Sequence, residues 1–489
     1  MDKKRAFVKV VFVLLICWSL GASAQNKYNI LFVAIDDLRP ELNCYGESEI
    51  ISPNIDKLAE TGVVFKNAYC QQALCGPSRL SLMTGVHPDR LGVYGMSGSN
   101  PIEWRETRKG LTSLSEHLRN NGYYAIGFGK IYDNRLGLDK GYSWDSFDEG
   151  WRSMFKDPNN QAISQRINKA YKNGQQPIEK KPALECFEVN DDFYTDGSIT
   201  KKAEQFLDTC QGDKPFFLAV GYNRPHLPFV APKKYWDLYD REMISMPEVT
   251  QPPLGHTSYT LSPYKEIFDY DVKEPNNPEV ARELRHGYFA CVSYVDHLVG
   301  RLIKKLKEKD MLDNTIIVLW GDHGFKLGDY SEWAKATNLE LDARVPLIIK
   351  VPQASNIGNA SCSMVELVDL MPTLCELNGI DIPAQAEGVS LVPVLKGKRK
   401  TVRKFALSQF PRGKNVMGYS IRTEEWRYTR WVSRQNGELL EDELYQLNGS
   451  DKYERNNVVE QHPSIQKKLA KYIRKYRNNA TVWQGETID

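Results

Sequence analysis

The run YNILFVAIDD (Tyr28–Asp37) decides how the chain is expected to fold. Its first eight residues are mostly apolar, and it ends in two adjacent aspartates. A continuous apolar run of this length, without polar alternation, is typical of a strand buried on both faces of a parallel sheet. The sequence therefore predicts a central parallel strand whose carboxyl end carries Asp36 and Asp37.

Further apolar runs predict more strands of the same sheet, and helical patterns separate them. The runs are YYAIGF (Tyr123–Phe128), PFFLAVG (Pro215–Gly221), TIIVLW (Thr315–Trp320) and PLIIKV (Pro346–Val351). Capping residues and apolar spacings of three and four predict helices over Ser52–Gly62, Leu111–Gly122 and Val280–Leu306. Strands alternating with helices predict an α/β fold, with a large, doubly wound, mostly parallel sheet flanked by helices.

The pattern of predicted secondary structure changes near residue 390. Short β-like pieces, KFALSQF and VMGYSIRTEEWRYTRWV, precede a helical pattern near Ile465–Tyr476. This predicts a smaller C-terminal α+β subdomain with an antiparallel sheet. The expected organisation is a signal peptide at 1–24, a main domain at 25–390 and the C-terminal subdomain at 391–489. A polar stretch between about Gly141 and Asp191 is expected to form a surface insertion.

The N-terminus is typical of an exported protein. A basic start precedes an apolar run, Val10–Leu20, that is too short to span a bilayer comfortably, and Ala22–Ala24 offers a small-residue cleavage site. The alternative is an N-terminal membrane anchor. We expect a periplasmic or secreted protein, or one in a lysosome-like compartment of a eukaryote, with no integral membrane segment in the mature chain.

Charge and cysteine content exclude some classes of function. The formal net charge is +2, and loss of the signal peptide lowers it to about −1, which gives no indication of a nucleic-acid partner. Of nine cysteines, Cys17 leaves with the signal peptide. With Cys75 set aside as chemically special, seven remain, and this odd, widely scattered set is no disulfide framework, although up to three bridges are compatible with it.

Two acidic pairs stand at the ends of predicted strands. Asp36 and Asp37 close the first, and GDHG, which contains Asp322 and His323, closes the strand at Thr315–Trp320. Carboxyl ends of parallel strands lie along one sheet edge, so the two pairs can meet there. Clustered carboxylates favour a cation, and oxygen ligands suit Ca²⁺ or Mg²⁺. Capped turns for the acids, and an indirect hydrogen-bonding role for His323, are the alternatives.

The motif CGPSR (Cys75–Arg79) is the most informative short stretch. A nucleophilic thiol and a buried structural cysteine are both open from the residue alone, but there is no CxxC and no histidine nearby in the sequence. Residue by residue the stretch matches C-x-P-S-R, at which type I sulfatases have their cysteine oxidised to formylglycine (3-oxoalanine). LSLMTG (Leu80–Gly85) continues the match.

The resemblance covers most of the mature chain. DDLRPELNCYG, YFACVSYVDHLVGRL, DHGFKLGDYSEWAK and VPLIIKVP all resemble segments of formylglycine-dependent sulfatases of the alkaline phosphatase superfamily, most of all the iduronate-2-sulfatase group. The resemblance implies a formylglycine-generating enzyme as a maturation partner. It also implies a Ca²⁺ ion held by the modified Cys75 together with Asp36, Asp37, Asp322 and His323.

The same resemblance implies roles for four further residues. Arg79, Lys130 in FGK, His226 in NRPHLPF and Lys335 in EWAK match positions that contact sulfate. Cations there would neutralise charge that develops on the sulfate oxygens. We expect His226 to be the general acid for the leaving alcohol, since imidazole exchanges protons near neutral pH. A satisfied loop histidine and a solvated lysine are the alternatives for His226 and Lys335.

One position departs from the group. The iduronate-2-sulfatase pattern has a histidine three residues after the lysine of GK, where this chain has Asp133. A carboxylate repels sulfate unless it is protonated, so we expect Arg135 to contact substrate and Asp133 to orient it. A second difference is Tyr330, where the group often has histidine.

The expected function is hydrolysis of sulfate esters on a sulfated oligo- or polysaccharide. A 2-O-sulfated uronate from a glycosaminoglycan or an algal polysaccharide is the favoured target. One alternative is a phosphoesterase or phosphonate hydrolase of the same superfamily, which Cys75 disfavours. Another is an inactive carbohydrate-binding relative, which the joint presence of these site residues disfavours.

Overall fold

The structure is a computed structural model that describes residues 27–96, 110–133, 142–150, 154–354, 358–447 and 452–479. The predicted signal peptide and Arg135 lie outside the described residues. Among the residues that are described, no helix is both long enough and apolar enough to cross a bilayer.

The strands fall into two main sheets and a small two-stranded pair. They are β1 (Asn29–Ile35), β2 (Val63–Tyr69), β3 (Tyr124–Gly129), β4 (Ser146–Asp148), β5 (Leu184–Phe187), β6 (Phe216–Tyr222), β7 (Phe229–Pro232), β8 (Thr315–Gly321), β9 (Arg344–Val345), β10 (Leu347–Lys350), β11 (Ala360–Glu366), β12 (Ala406–Arg412), β13 (Val416–Arg422), β14 (Trp426–Ser433) and β15 (Leu439–Gln446).

The α-helices alternate with these strands, as the sequence predicts. They are α1 (Pro53–Thr61), α2 (Cys75–Thr84), α3 (Pro88–Leu91), α4 (Leu114–Asn120), α5 (Pro158–Lys172), α6 (Thr195–Thr209), α7 (Lys233–Trp236), α8 (Pro278–Glu308), α9 (Glu340–Ala343), α10 (Leu370–Leu377), α11 (Val392–Leu395) and α12 (Pro463–Asn479). Helix α5 and strand β5 lie within the polar stretch expected to be a surface insertion.

The main sheet has the strand order β11-β2-β10-β8-β1-β6-β3-β4, and β9 pairs with β2. Strand β1 is central and pairs in parallel with both β8 and β6. Its residues from Ile30 onward are all buried, which explains the unbroken apolar run. Strand β10 corresponds to the predicted run PLIIKV but is antiparallel to its neighbours β8 and β2. The mostly parallel α/β sheet is therefore confirmed.

Helices cover both faces of the main sheet. Alternate residues of β1 enter different hydrophobic clusters, with Leu31 and Val33 in one and Ile30 and Phe32 in the other. The long helix α8 belongs to the first cluster and α10 to the second. This two-sided burial is the reason that both faces of the central strands are apolar.

The C-terminal part forms an antiparallel sheet of the order β12-β13-β14-β15, with α12 packed on it. A buried charge network joins this sheet to the main one, because Glu340 accepts hydrogen bonds from Arg422 and Arg427. The smaller antiparallel sheet is thus confirmed as well. All eight cysteines among the described residues are free thiols.

Candidate active site

The site lies at the carboxyl edge of the main sheet. Asp36 and Asp37 follow β1, Asp322 and His323 follow β8, and Lys130 follows β3. Strand β1 lies between β8 and β6, and β3 pairs with β6, so these strand ends share one edge. The Asp37 amide donates to Oδ1 of Asp322 over 3.2 Å. The two acidic pairs therefore meet as the sequence predicts.

Helix α2 brings the CGPSR motif to this edge. Cys75 is its first residue, and Arg79 stands one turn further on, so both side chains lie on the same face. Ser78 Oγ donates to the carbonyl of Asp322 over 2.5 Å, which ties the helix to the end of β8. The buried Arg79 pairs with Asp322 (Nε to Oδ2, 2.8 Å) and with Asp36 (Nη2 to Oδ1, 3.4 Å).

Cys75 is buried at the centre of the cluster. Its Sγ lies 3.4 Å from Oδ1 of Asp36 and 3.1 Å from Nε2 of His323, a neighbour that sequence proximity does not reveal. Burial raises the pKa of the Cys75 thiol, and the Asp36 carboxylate raises it further. An unmodified Cys75 is therefore protonated at neutral pH, unlike the thiolates of cysteine nucleophiles.

Asp37 adopts a left-handed backbone conformation, with φ of 59°, which residues other than glycine rarely adopt. The buried hydroxyl of Tyr288, on α8, donates to the Asp37 carbonyl over 2.8 Å and accepts from the Arg39 amide over 3.0 Å. These two bonds hold the turn that aims the Asp37 carboxylate at the cluster. Tyr288 is thus a supporting residue that the helical pattern alone describes only as packing.

Two lysines neutralise the strand-end carboxylates. Lys130 Nζ lies 2.5 Å from Oδ2 of Asp36, and Lys335 Nζ lies 2.8 Å and 2.9 Å from the two oxygens of Asp37. Burial opposes ionisation of both aspartates, but the charge of Lys130 holds the pKa of Asp36 well below its ordinary value. Lys335 lowers the pKa of Asp37 in the same way.

His226 lies near two carboxylates, Asp37 and Glu266. Its Nε2 is 3.9 Å from Oδ2 of Asp37 and 3.1 Å from Oε1 of Glu266. Glu266 also pairs with Lys335 over 3.0 Å, and despite its burial the charge of Lys335 lowers the pKa of this carboxyl. Glu266 was not predicted from the sequence, because no motif marks the loop that carries it.

The donor atoms fit a divalent cation. Ligand atoms of Asp36, Asp37, Cys75 and His323 lie within 4.8 Å of one another. Asp322 borders this group, with Oδ2 3.5 Å from His323 Nε2, while its oxygens also accept from Arg79 and two backbone amides. Carboxylate oxygens suit a hard cation, whereas a protonated thiol does not. An oxygen at position 75 would complete the set better than sulfur.

The two positions that depart from the iduronate-2-sulfatase pattern lie in different surroundings. The Asp133 carboxylate is buried 3.6 Å from Nζ of Lys130, beside the cluster. Tyr330 is buried against Tyr453, and its hydroxyl contacts the carboxylate of Glu454 over 3.2 Å. The Tyr330 substitution therefore belongs to a packed interface between the main sheet and the C-terminal part.

All the predicted site residues that are described come together at this edge. They are Asp36, Asp37, Cys75, Arg79, Lys130, Asp133, His226, Asp322, His323 and Lys335. Arg135 lies outside the described residues.

Two family models and a curated relative match most of the chain. The sulfatase family model matches residues 28–380, and a model of the C-terminal part of N-sulphoglucosamine sulphohydrolase matches residues 328–479. Human iduronate 2-sulfatase is 32% identical over 505 residues, covering 87% of this chain and 90% of its own.

Solved structures show the same fold. A protein solved with its substrate D-glucosamine-2-N,6-O-disulfate has a TM-score of 0.74 at 23% identity, over 93% of this chain and 98% of its own. The phosphonate monoester hydrolase of Agrobacterium radiobacter has a TM-score of 0.71 at 20% identity, over 93% and 96% of the two chains. The fold is therefore shared between different hydrolases. The family match and the human relative distinguish between these reactions, which the fold alone does not: the chain belongs to the sulfatase family and is a sulfuric ester hydrolase.

Proposed function

We propose that the protein removes sulfate from sulfated carbohydrate, with a 2-O-sulfated uronate of a glycosaminoglycan or algal polysaccharide as its target. The main support is the position of Cys75 in the CGPSR motif, where its side chain is buried against Asp36 and His323. The cationic side chains of Arg79, Lys130 and Lys335 lie beside it. The identity with human iduronate 2-sulfatase supports the uronate. We assign the chemistry to residues 25–390 and regard 391–489 as a subdomain that packs beside it.

The reaction requires an oxygen nucleophile at position 75. We propose that a formylglycine-generating enzyme oxidises Cys75 to 3-oxoalanine, which in its hydrated form supplies that nucleophile. The buried thiol, whose pKa is raised, is a poor nucleophile by comparison. Asp36, Asp37, Asp322 and His323 would hold Ca²⁺, which would ease deprotonation of the nucleophilic hydroxyl and stabilise the negative charge that develops on the sulfate oxygens.

The chain's cations are placed to bind the sulfate group. Three cations surround the side chain at position 75: Arg79, Lys130 and Lys335. Each of them also pairs with a carboxylate of the cluster. Because those pairs fix the cations before substrate arrives, little reorganisation is needed as negative charge grows on the sulfate oxygens. Asp133 lies within ion-pair distance of Lys130, and we propose that it orients this lysine. A substrate contact by Arg135 stays a prediction.

His226 is placed to protonate the departing alcohol. Its Nε2 faces the same carboxylate, Asp37, that Lys335 contacts, and the side chain is one-fifth exposed, so a substrate can reach it. A sugar alkoxide is a poor leaving group, and a positioned acid typically contributes about 10²- to 10⁴-fold to such a cleavage. The predicted N-terminal signal peptide would place this activity in the periplasm, outside the cell or in a lysosome-like compartment.

A substrate panel tests the proposal. The full chain, purified from cells that also make a formylglycine-generating enzyme, is incubated with 2-O-sulfated uronate disaccharides, 6-O- and N-sulfated glucosamine and a phenylphosphonate ester. Released sulfate and released phenylphosphonate are both measured by ion chromatography, with Cys75→Ala as the blank. We expect the 2-O-sulfated uronate to be hydrolysed fastest. Faster hydrolysis of the phosphonate ester, or no sulfate release above the blank, would contradict the proposal.

A further inference from the structure

Glu266 is a buried carboxylate placed behind two of the proposed reacting groups. It opens a short 3₁₀ turn, Glu266–Asp269, and is 8% exposed. Its two oxygens divide between two partners: Oε1 lies 3.1 Å from Nε2 of His226, and Oε2 lies 3.0 Å from Nζ of Lys335. One carboxylate therefore links the proposed general acid to a proposed sulfate-binding cation.

The hydrogen-bond geometry of His226 fixes the direction of its ring. Nδ1 lies 2.6 Å from the carbonyl oxygen of Leu227, which can only accept, so Nδ1 carries a hydrogen. Nε2 faces the Glu266 carboxylate, which also accepts. Glu266 therefore limits how far the His226 ring can turn about its bond to Leu227.

Lys335 is held in the same manner from two sides. Its ammonium contacts both oxygens of Asp37 and one oxygen of Glu266. Without Glu266, the flexible lysine side chain would keep only the Asp37 contact. The His226 ring would then keep its bond to Leu227 and the longer, 3.9 Å approach of Nε2 to Asp37, so Nε2 would be held less firmly.

We propose that Glu266 is a positioning residue for leaving-group protonation, which holds the Nε2–H of His226 and the ammonium of Lys335 in one fixed relation to the sulfate ester. This inference rests on the proposed sulfatase function. It adds to that function a carboxylate that touches no substrate and acts through His226 and Lys335.

The proton balance defines what Glu266 must support. The net reaction converts a sulfate monoester anion and water into an alcohol, a sulfate dianion and one proton. As the bond between sulfur and the ester oxygen breaks, that oxygen takes the proton from His226 Nε2. Water supplies the oxygen that ends on sulfate. It also supplies two protons, of which one returns to Nε2 and the other enters solution.

A role in protonation predicts a dependence on the leaving group. A 4-nitrophenolate leaves readily without a proton, a phenolate less so, and a sugar alkoxide needs one. A misplaced His226 should therefore slow the sugar sulfate most and 4-nitrophenyl sulfate least. A purely structural role of Glu266 would slow all three substrates by the same factor.

The test compares Glu266→Gln, Glu266→Asp and wild type on 4-nitrophenyl sulfate, phenyl sulfate and a 2-O-sulfated uronate disaccharide. Glu332→Gln is the matched control, because Glu332 is also buried and pairs with a lysine, Lys326, at 3.2 Å. We expect Glu266→Gln to lower kcat on the disaccharide by about 10²-fold or more, and on 4-nitrophenyl sulfate by less than about tenfold. Glu266→Asp should recover part of the loss.

The outcomes separate this inference from the proposed function. Glu332→Gln should leave the ratio of the substrate rates at the wild-type value, even where it lowers the melting temperature. Equal loss on all three substrates in Glu266→Gln, or no loss, would overturn the positioning role while the sulfatase function stands. If wild type released sulfate from none of the three, the proposed function would fail first and this inference with it.

Discussion

The Sγ of Cys75 lies 3.1 Å from Nε2 of His323, although 248 residues separate the two in the chain. His323 Nδ1 in turn lies 3.1 Å from Oδ1 of Asp37. This order of thiol, imidazole and carboxylate resembles that of a cysteine nucleophile, yet burial and the neighbouring Asp36 raise the pKa of the thiol instead of lowering it. The surroundings therefore suit a modified residue better than a thiolate.

Cys75→Ser should abolish turnover. A serine can supply one oxygen nucleophile but lacks the second hydroxyl of a hydrated aldehyde, so a sulfated serine would have no internal route to break down. We expect kcat to fall on the order of 10³-fold or more, as for other nucleophile replacements. Sulfate release under multiple-turnover conditions measures this. Turnover within about tenfold of wild type would contradict the aldehyde's role.

Arg79→Met should destabilise the fold strongly. It leaves Asp322 and Asp36 without the cation that lies 2.8 Å and 3.4 Å from them. Removing one partner of a buried ion pair typically costs about 3–5 kcal/mol. The free energy of unfolding is measured with urea in the presence of EDTA, so that a bound cation does not compensate for the lost charge.

An exposed arginine supplies the control for Arg79. Arg166 pairs with Glu179 at the surface, where water screens the charges, so Arg166→Met should change the free energy of unfolding little. An Arg79→Met protein as stable as the Arg166→Met protein would show that the buried pairs contribute nothing.

Calcium should stabilise the protein through Asp37. A ligand that binds only the native state adds about 2.7 kcal/mol of stability at one hundred times its Kd. We expect Ca²⁺ to raise the melting temperature of wild type and EDTA to reverse this, with no response in Asp37→Asn. Asp213→Asn, at an exposed position, should respond like wild type. A wild-type melting temperature that Ca²⁺ does not move would contradict the metal site.

Stability should fall at high pH through His87. This buried ring lies 2.9 Å from Glu366 and 3.2 Å from Glu387. Burial alone would lower its pKa, but hydrogen bonding to Glu366 and then to Glu387 raises the pKa from the ordinary 6.5 to about 10. Because the pKa of His87 is higher in the folded than in the unfolded state, the protonated ring stabilises the fold fully at pH values below the unfolded-state pKa. This contribution is lost as pH rises through the folded-state pKa.

The comparison of wild type with His87→Gln isolates this contribution. We expect the difference between their free energies of unfolding to be largest at pH 6.5 and to shrink progressively toward pH 10, the two pKa values that bound the window. Urea unfolding at several pH values measures the difference. A difference that stays constant over this range would mean that the folded state does not bind the His87 proton more tightly than the unfolded state does.

Much of the fold could be predicted because burial on both faces leaves unbroken apolar runs, as in β1 and β8. The direction of β10 could not be predicted, since an apolar run carries no information on whether its neighbours are parallel. Strand β15, LLEDELYQ, was missed because three consecutive acidic residues interrupt its apolar pattern.

The site residues likewise divide into those that a sequence pattern marks and those that it does not. Asp36, Asp37 and Asp322 stand at strand ends, and Cys75 stands in a motif, so sequence patterns mark them. Glu266 and Tyr288 bear on the site only through contacts across the fold, one from a loop without a motif and one from the apolar stripe of α8. Tyr288 shows that a residue interpreted as packing can also hold the turn that carries Asp37 through its hydroxyl.

We propose that active protein carries an aldehyde at position 75, and mass spectrometry detects this group without an assay of turnover. Protein that hydrolyses sulfate esters is digested with trypsin, and the peptide spanning residues 67–79 is analysed. We predict that this peptide contains 3-oxoalanine at position 75 in proportion to the activity of each preparation. A fully active preparation in which residue 75 is entirely unmodified cysteine would contradict the account.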